Sequence, residues 1–490
     1  MLGHLMLHLG EFEEASAQIE AAVPELRDRP DLAAKAMVYL GMPLVRHRTA
    51  AQHVRWLERA DALLPAVGSE VQRLWLNTYH ATALLILGEQ AGWGAAERIP
   101  EAGSTQTEQQ YIARGLLNVG QYAAVWGRFP EAARWITRGT EMVEEVNFLR
   151  VADTADIARA HLDWYTGSWD RLADRVSRLA ESEQAQPASR LEARLIRGLL
   201  CLARGDRREA EQQLRSVEAG LARRGQLDPL IFPAPALARL RLADGAAAEA
   251  LALTGPLVDV IAAKGTWLWA TDVLPVHVDA LIAVGRTEAA EALLEPFEAW
   301  LSGRSAPAPE AALTTCRALV AEARGDSGAA AAFVAAARAW AALPRPYDEL
   351  LAAEREGRCM LAVAGGRTDA GLAVLSEVQR RLSALGARWD ADRVAQLLRR
   401  HGVDVARAGR RGRLGYGDQL SPRELEVTRL AARGLTNRQV AEALFLSPKT
   451  VAHHLSAAMH KLNVGSRTAL VMAAADAGML TDQRPQAGNR

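Results

Sequence analysis

Glycine recurs at a nearly fixed interval through most of this 490-residue chain. Gly127, Gly167, Gly205, Gly245, Gly285, Gly325 and Gly365 stand 40, 38, 40, 40, 40 and 40 residues apart. Gly10 and Gly88 extend the series toward the N-terminus, with Arg48 where another glycine would fall. Five residues after each glycine comes a small residue: Ala15, Ala132, Ala210, Ala250, Ala290, Ala330 and Ala370, with Leu172 the exception. Nine residues after come Ile19, Ile136, Val176, Leu214, Leu294, Val334 and Val374, with Thr254 the exception. The unit after Gly88 matches poorly. Self-similarity at this spacing marks a stack of like supersecondary units.

The unit has a simple physical reading. An apolar helix such as 191–203 runs up to the glycine. Glycine takes the left-handed conformation that ends it. A second helix follows, and its small residue lets the first approach closely. One such hairpin cannot bury its apolar face alone, so neighbours must stack. The spacing is longer than the ~34 residues of the tetratricopeptide repeat. Residues 1–401 are therefore expected to form a tetratricopeptide-like superhelix of about nine or ten helical hairpins. Most tryptophans in it should pack between helices. Some are expected to line a groove that takes a ligand or a protein partner.

Residues 402–419 break the pattern. They are rich in Gly and Arg and lack apolar periodicity, as a linker does, with Arg410, Arg411 and Arg413 available to phosphates. The last residues, 481–490, read as a disordered tail.

Residues 420–480 carry the chemistry. Ser421 is a helix N-cap candidate, Pro422 stands at the first helical position, and Glu424 is placed to close a capping box. Gly434 ends that helix. Thr436 and Gln439 repeat the cap for a short second helix, and Ser447 with Pro448 opens a third at 448–462. Helix, tight turn, helix is the layout whose second helix enters the DNA major groove. In the third helix Val451, Leu455, Ala458 and Leu462 fall on one stripe and should face the core. The opposite face carries Lys449, His453, Ser456, Ala457 and His460, with Thr450 and Lys461 at its margins. No acid occurs from 447 to 462, which suits a phosphate-lined groove.

The pieces LSPRELEV, GLTNRQVA, LFLSPKTV, HHL, KL and SRT together resemble the C-terminal DNA-binding domain of the LuxR-type regulators. The resemblance implies a four-helix helix-turn-helix domain, with a recognition helix in the major groove. It also implies a homodimer through a fourth helix, here 466–477, capped by Ser466 and ended by Gly478. Where the family often has a long polar residue this chain has Ala452, so base reading should shift to His453, Ser456 and His460. Phosphate contacts are expected from Thr436, Asn437, Arg438, Ser447, Lys449, Thr450 and Lys461. His454, which matches the family's histidine, should orient the helix at the DNA backbone, and Arg467 should reach a flanking phosphate or the dimer partner. The repeat region is similar in architecture to that of the large ATP-binding LuxR-type regulators. Their nucleotide site does not carry over, because no G-x-x-x-x-G-K-[ST] occurs.

Charge supports a divided chain. From 410 onward there are twelve basic and six acidic residues, leaving 46 basic and 52 acidic before it, although the whole is neutral. Two of only four lysines, Lys449 and Lys461, lie in the third helix. Cys201, Cys316 and Cys359 share no ligand spacing, and buried thiols in a reducing cytoplasm are expected. Nothing resembles a signal peptide or a membrane span. No hydrolase, metalloprotease or dinucleotide motif occurs, and the histidines at 453, 454 and 460 do not converge, so neither catalysis, cofactor nor metal is expected. The expectation is an all-α, cytoplasmic regulator that binds double-stranded DNA. The alternative is an interaction scaffold or a sigma-factor-like module with a residual DNA-binding domain.

Overall fold

The computed structural model describes residues 12–476, apart from 146–148, 225–226, 364–367, 406–419, 421, 445–446 and 463. The expected roles of Gly10, Gly365, Ser421, the linker residues 406–419 and everything after Asp476 lie outside the described residues. The chain divides into two compact units, Met1–Val405 and Ala406–Arg490. Among the described residues every regular element is helical.

Helix ends in the first unit repeat one local geometry. Gly127 stands at φ +90°, its N–H donates to the Ala124 carbonyl at 3.0 Å, and the next N–H, of Arg128, reaches back to Ala123 at 2.8 Å. The same pair of bonds recurs at Gly88, Gly167, Gly205, Gly245, Gly285 and Gly325, all with positive φ. This is the Schellman termination, which satisfies carbonyls that a helix leaves unpaired. Hairpins such as Gln106–Trp126 with Phe129–Glu145, and Pro187–Arg204 with Arg207–Arg224, follow from it.

The small residues after the glycines do their expected work in most units. Ala132, Ala210, Ala250 and Ala290 are fully buried, as are Ile136, Val176 and Leu214. Two units depart. In Ala329–Ala342 the buried residues are Ala329, Phe333, Ala336 and Trp340, and Ala330 and Val334 are only half-buried. That helix is almost all alanine, so alanine periodicity cannot set its register; the Phe333 and Trp340 rings, two turns apart, do. In Asp369–Leu385 Ala370 is exposed, and Gly371 takes the close approach beside Leu361 and Met360. The unit after Gly88 is shortened to Ala91–Glu97. Arg48, in place of a glycine, is buried and pairs with Ser16 and Glu20.

The superhelix closes on itself. The Trp269 indole donates to the Ile86 carbonyl at 2.8 Å across 183 residues of sequence. Arg304 donates to Gly88 at 3.1 Å, and Lys264 donates to the Val45 and Arg48 carbonyls, each at 2.8 Å. The corner glycines sit on this seam. A Cβ at Gly88 would lie 2.5 Å from the Trp300 ring, and one at Gly127 would lie 2.7 Å from the backbone nitrogen of Ala308. Trp126, Trp135, Trp169, Trp267, Trp269, Trp300 and Trp340 are all buried, most of them between helices.

Two outcomes follow. Gly285 has φ +77° but open space at its Cβ position, whereas Gly127 has both the positive φ and the Ala308 backbone. Gly285→Ala should cost about 1–2 kcal/mol for the left-handed backbone alone. Gly127→Ala should cost about 1–3 kcal/mol more through overpacking. Urea unfolding of both variants at neutral pH measures the difference, and equal losses would show that the seam does not constrain Gly127.

The second concerns His53, which is fully buried. Its Nδ1 pairs with the Leu40 carbonyl at 2.8 Å, leaving Nε2 to accept from Lys264 at 3.2 Å. Burial, and then the neighbouring ammonium, push its basicity down to about 3. An unfolded histidine titrates near ~6.5. Between those values the unfolded chain binds the extra proton, so stability present at neutral pH is lost as pH falls below about 6.5, by up to about 1.4 kcal/mol per pH unit. His53→Gln should flatten that acid limb in a denaturant series from pH 7 to pH 4; an unchanged slope would refute the assignment.

Candidate nucleic-acid interface

Among the described residues the second unit holds four helices, Pro422–Ala432, Asn437–Ala443, Pro448–Lys461 and Arg467–Asp476. They enclose one small core of Val427, Ala431, Val440, Val451, Leu455, Ala458 and Leu470. Three of the caps read from the sequence are present, at Thr436, Ser447 and Ser466. Thr436 donates its N–H to the Gln439 side chain at 2.9 Å and its hydroxyl accepts from the Gln439 N–H at 3.4 Å. Ser447 accepts from the Thr450 N–H at 3.1 Å, with Pro448 at the first position. Ser466 accepts from the Ala469 N–H at 3.2 Å. The caps start the second and third helices where a helix-turn-helix needs them, with a tight connection between.

The third helix has two faces. Val451, His454, Leu455 and Ala458 are buried, and Leu462 is half-buried. Lys449, Ala452, Ser456 and His460 are exposed, with Thr450 and Ala457 half-buried at the edges. The His453 side chain lies outside the described residues. Ser447, Thr436 and Arg438 are also exposed, and Arg438 keeps only a loose 3.8 Å approach to Glu442, both side chains largely in solvent. The outer face of this helix therefore presents one ammonium, hydroxyls and an imidazole, without a carboxylate of its own.

Three residues expected at DNA have inward contacts or lie on the packed side in this structure. Lys461 is not a free phosphate contact: its ammonium lies 2.8 Å from the carboxylate of buried Glu424, on the first helix. Arg467 makes contacts within the domain. It donates to the Asn437 side-chain oxygen at 2.8 Å and to the Leu435 carbonyl, tying the fourth helix to the start of the second. His454 is 5% exposed and belongs to the packed side of the helix. These ties span 37 and 30 residues of sequence, and no local pattern announces them. The buried acid at Glu424 was the available signal, because an interior carboxylate calls for a cation. Asn437 keeps its amide N–H2 while its oxygen is held by Arg467.

Comparison with known proteins agrees with this geometry. The family described as "Bacterial regulatory proteins, luxR family" matches residues 418–474. The transcriptional regulatory protein ComA of Bacillus subtilis is 41% identical over 63 residues, which are 13% of this chain and 29% of that one. The oxygen regulatory protein NreC of Staphylococcus carnosus is 50% identical over 52 residues, 11% of this chain and 24% of that one. The chain thus covers less than a third of the length of these relatives. For the whole fold, a crystal structure of a Rap protein complexed with Competence and Sporulation Factor aligns with TM-score 0.52 at 12% identity, covering 78% of this chain and 99% of that one. That likeness is one of helical-repeat architecture. Behind its helical solenoid, the chain carries a helix-turn-helix domain of the luxR family at residues 418–474.

Proposed function

We propose that this chain is a sequence-specific, DNA-binding transcriptional regulator. The observation that carries the reading is the third helix of the luxR-family domain, packed by Val451, Leu455 and Ala458 and free of acids on its exposed side. Such a face suits the electrostatics of a phosphate-lined groove. Lys449, Ser447, Thr450, Thr436, Arg438 and the Asn437 amide are the phosphate-side groups, with helix N-termini adding backbone N–H donors. Ser456 and His453 are the base-edge candidates, with His460 further along the same face.

The domain pairs through its fourth helix, residues 466–477, where Met472 is 63% exposed. Two-fold pairing implies half-sites about one helical turn apart. The solenoid, residues 1–401, is the sensing arm, joined through 402–419 to the DNA module at 420–480. It receives a ligand or a protein partner. Among the described residues no helix is long and apolar enough to cross a membrane.

Selection of duplexes from a random pool by the full chain tests the reading. Enrichment of a two-fold site is expected; a chain that retards no duplex at low salt is not a DNA-binding regulator. The inward and outward lysines then separate. Lys449→Ala should weaken binding to all sequences and reduce the salt-dependence slope by about one. Lys461→Met should leave that slope unchanged and instead destabilise the domain, because its 2.8 Å pair with buried Glu424 is lost. A lowered slope for Lys461→Met, with stability retained, would return that residue to the DNA surface.

A further inference from the structure

The solenoid holds a partly open cavity of about 440 Å³ where its two halves face each other. Trp164, Phe232, Trp269, Trp340, Leu319 and Leu351 contribute apolar wall. Three of the hydroxyls that reach it are already bonded: Thr271 donates to Leu268, Thr315 donates to Ala311 and accepts from the Trp340 indole, and Tyr347 donates to Asp390.

The charged groups around the cavity are paired with one another. Arg345 meets Asp272 at 2.8 Å and Asp348 at 2.7 Å. Arg355 forks both oxygens of Asp279 at 2.7 Å and reaches Glu322 at 2.8 Å. Arg393 meets Asp390 at 2.6 Å and also pairs with Glu354. Arg239 donates to the Tyr347 hydroxyl at 3.1 Å and to Asp390 at 3.3 Å, and Arg358 stands 4.0 Å from Glu354. Several ring faces are occupied as well. Arg345 stacks on Tyr165 and Trp340, both at 4.6 Å, and Arg239 lies over Tyr347 and Trp389.

We infer that this cavity binds an uncharged, ring-bearing, largely apolar small molecule. The inference rests on the proposed role of the repeats as a sensing arm and names its ligand class. A volume near 440 Å³ falls within the ~300–1,000 Å³ range of small-molecule sites. Apart from Arg358, held only loosely at 4.0 Å from Glu354, the charged groups lining the cavity among the described residues are already paired, so a ligand with a formal charge finds little free counterion. To be neutralised it must open a pair that is already satisfied, which leaves another charge without its partner. A cationic ligand also meets rings whose faces hold guanidinium groups. A neutral ring system leaves the lattice intact and gains apolar burial against indole and aliphatic walls.

Two probes with one ring skeleton test this on the full chain. N-phenyl-1-naphthylamine is neutral, and 1-anilinonaphthalene-8-sulfonate is its anionic relative. Titration followed by probe emission and tryptophan quenching should show saturable binding of one neutral probe per chain. The sulfonate should bind about tenfold or more weakly. Leu319→Trp fills the cavity and should abolish neutral-probe binding at unchanged helical content; Leu351→Trp serves if that variant does not fold. Asp279→Asn removes the bidentate partner of Arg355 and should raise sulfonate affinity, narrowing the ratio. Equal affinities for the two probes, or neutral-probe binding that survives both tryptophan variants, would overturn the assignment. Duplex binding with and without saturating neutral probe then reads the sensing role separately. A probe that fills the cavity without altering DNA affinity counts against sensing and leaves the site standing.

Discussion

The solenoid depends on how one hairpin corner meets another. A helix ends with carbonyls that its own backbone cannot satisfy. At the end of Glu70–Leu87 two indoles supply donors, Trp126 to Leu85 at 3.0 Å and Trp269 to Ile86 at 2.8 Å. One comes from the next repeat and the other from the far half of the array. Arg304 then covers the carbonyl of Gly88 itself. These bonds require rings and backbone to approach a helix corner within van der Waals distance, and a side chain at Gly88 or Gly127 would hold the halves apart. The glycine that ends each helix is therefore a local device with a distant consequence. It terminates the chain segment, and at the seam it also permits closure of the superhelix around a cavity.

Charge is organised differently in the two units. The solenoid uses arginine almost exclusively, and its buried guanidinium groups are forked to carboxylates from other repeats, as Arg355 is to Asp279 and Glu322. Planar forks hold geometry that a flexible ammonium cannot. The four lysines have separate fates. Lys264 is buried against backbone carbonyls, Lys35 lies over the Trp75 ring, and Lys461 pairs with Glu424. Lys449 is exposed on the outer side of the third helix. An ammonium on an acid-free face binds phosphate without geometric demand, which fits a positioning contact rather than sequence readout.

What the sequence revealed was local in origin. Helix caps, the glycine terminations and the buried stripe of the third helix depend on neighbours within a few residues, and they appear at Thr436, Ser447, Gly127 and Val451 as read. The repeat register failed where local information ran out. In Ala329–Ala342 alanine fills almost every position, so only tertiary contact could choose Phe333 and Trp340 as the core residues. The intramolecular contacts of the site residues were hidden for the same reason. Lys461 and Arg467 look like DNA contacts because the helix wheel shows a charge near the surface. Whether that charge is free depends on Glu424 and Asn437, far away in the chain. Closure of the solenoid was likewise invisible, because the period fixes the unit and not the superhelical turn.

Under the proposed function, the inward commitments of Arg467 and Lys461 shape recognition as much as the exposed groups do. Arg467 fixes the Leu435 carbonyl and the Asn437 amide, so the phosphate-side start of the second helix is held by the helix assigned to pairing. Lys461 fixes the far end of the third helix to the first. The recognition helix is thus braced at its end, while its N-terminal half carries the short, exposed Ala452. One good bidentate base contact discriminates by ~1–3 kcal/mol, and alanine supplies none. Discrimination must therefore be divided among the small polar groups on that face, the duplication of half-sites and the deformability of the duplex. A braced helix with few long side chains reads position and groove shape accurately, and tolerates base changes beneath Ala452.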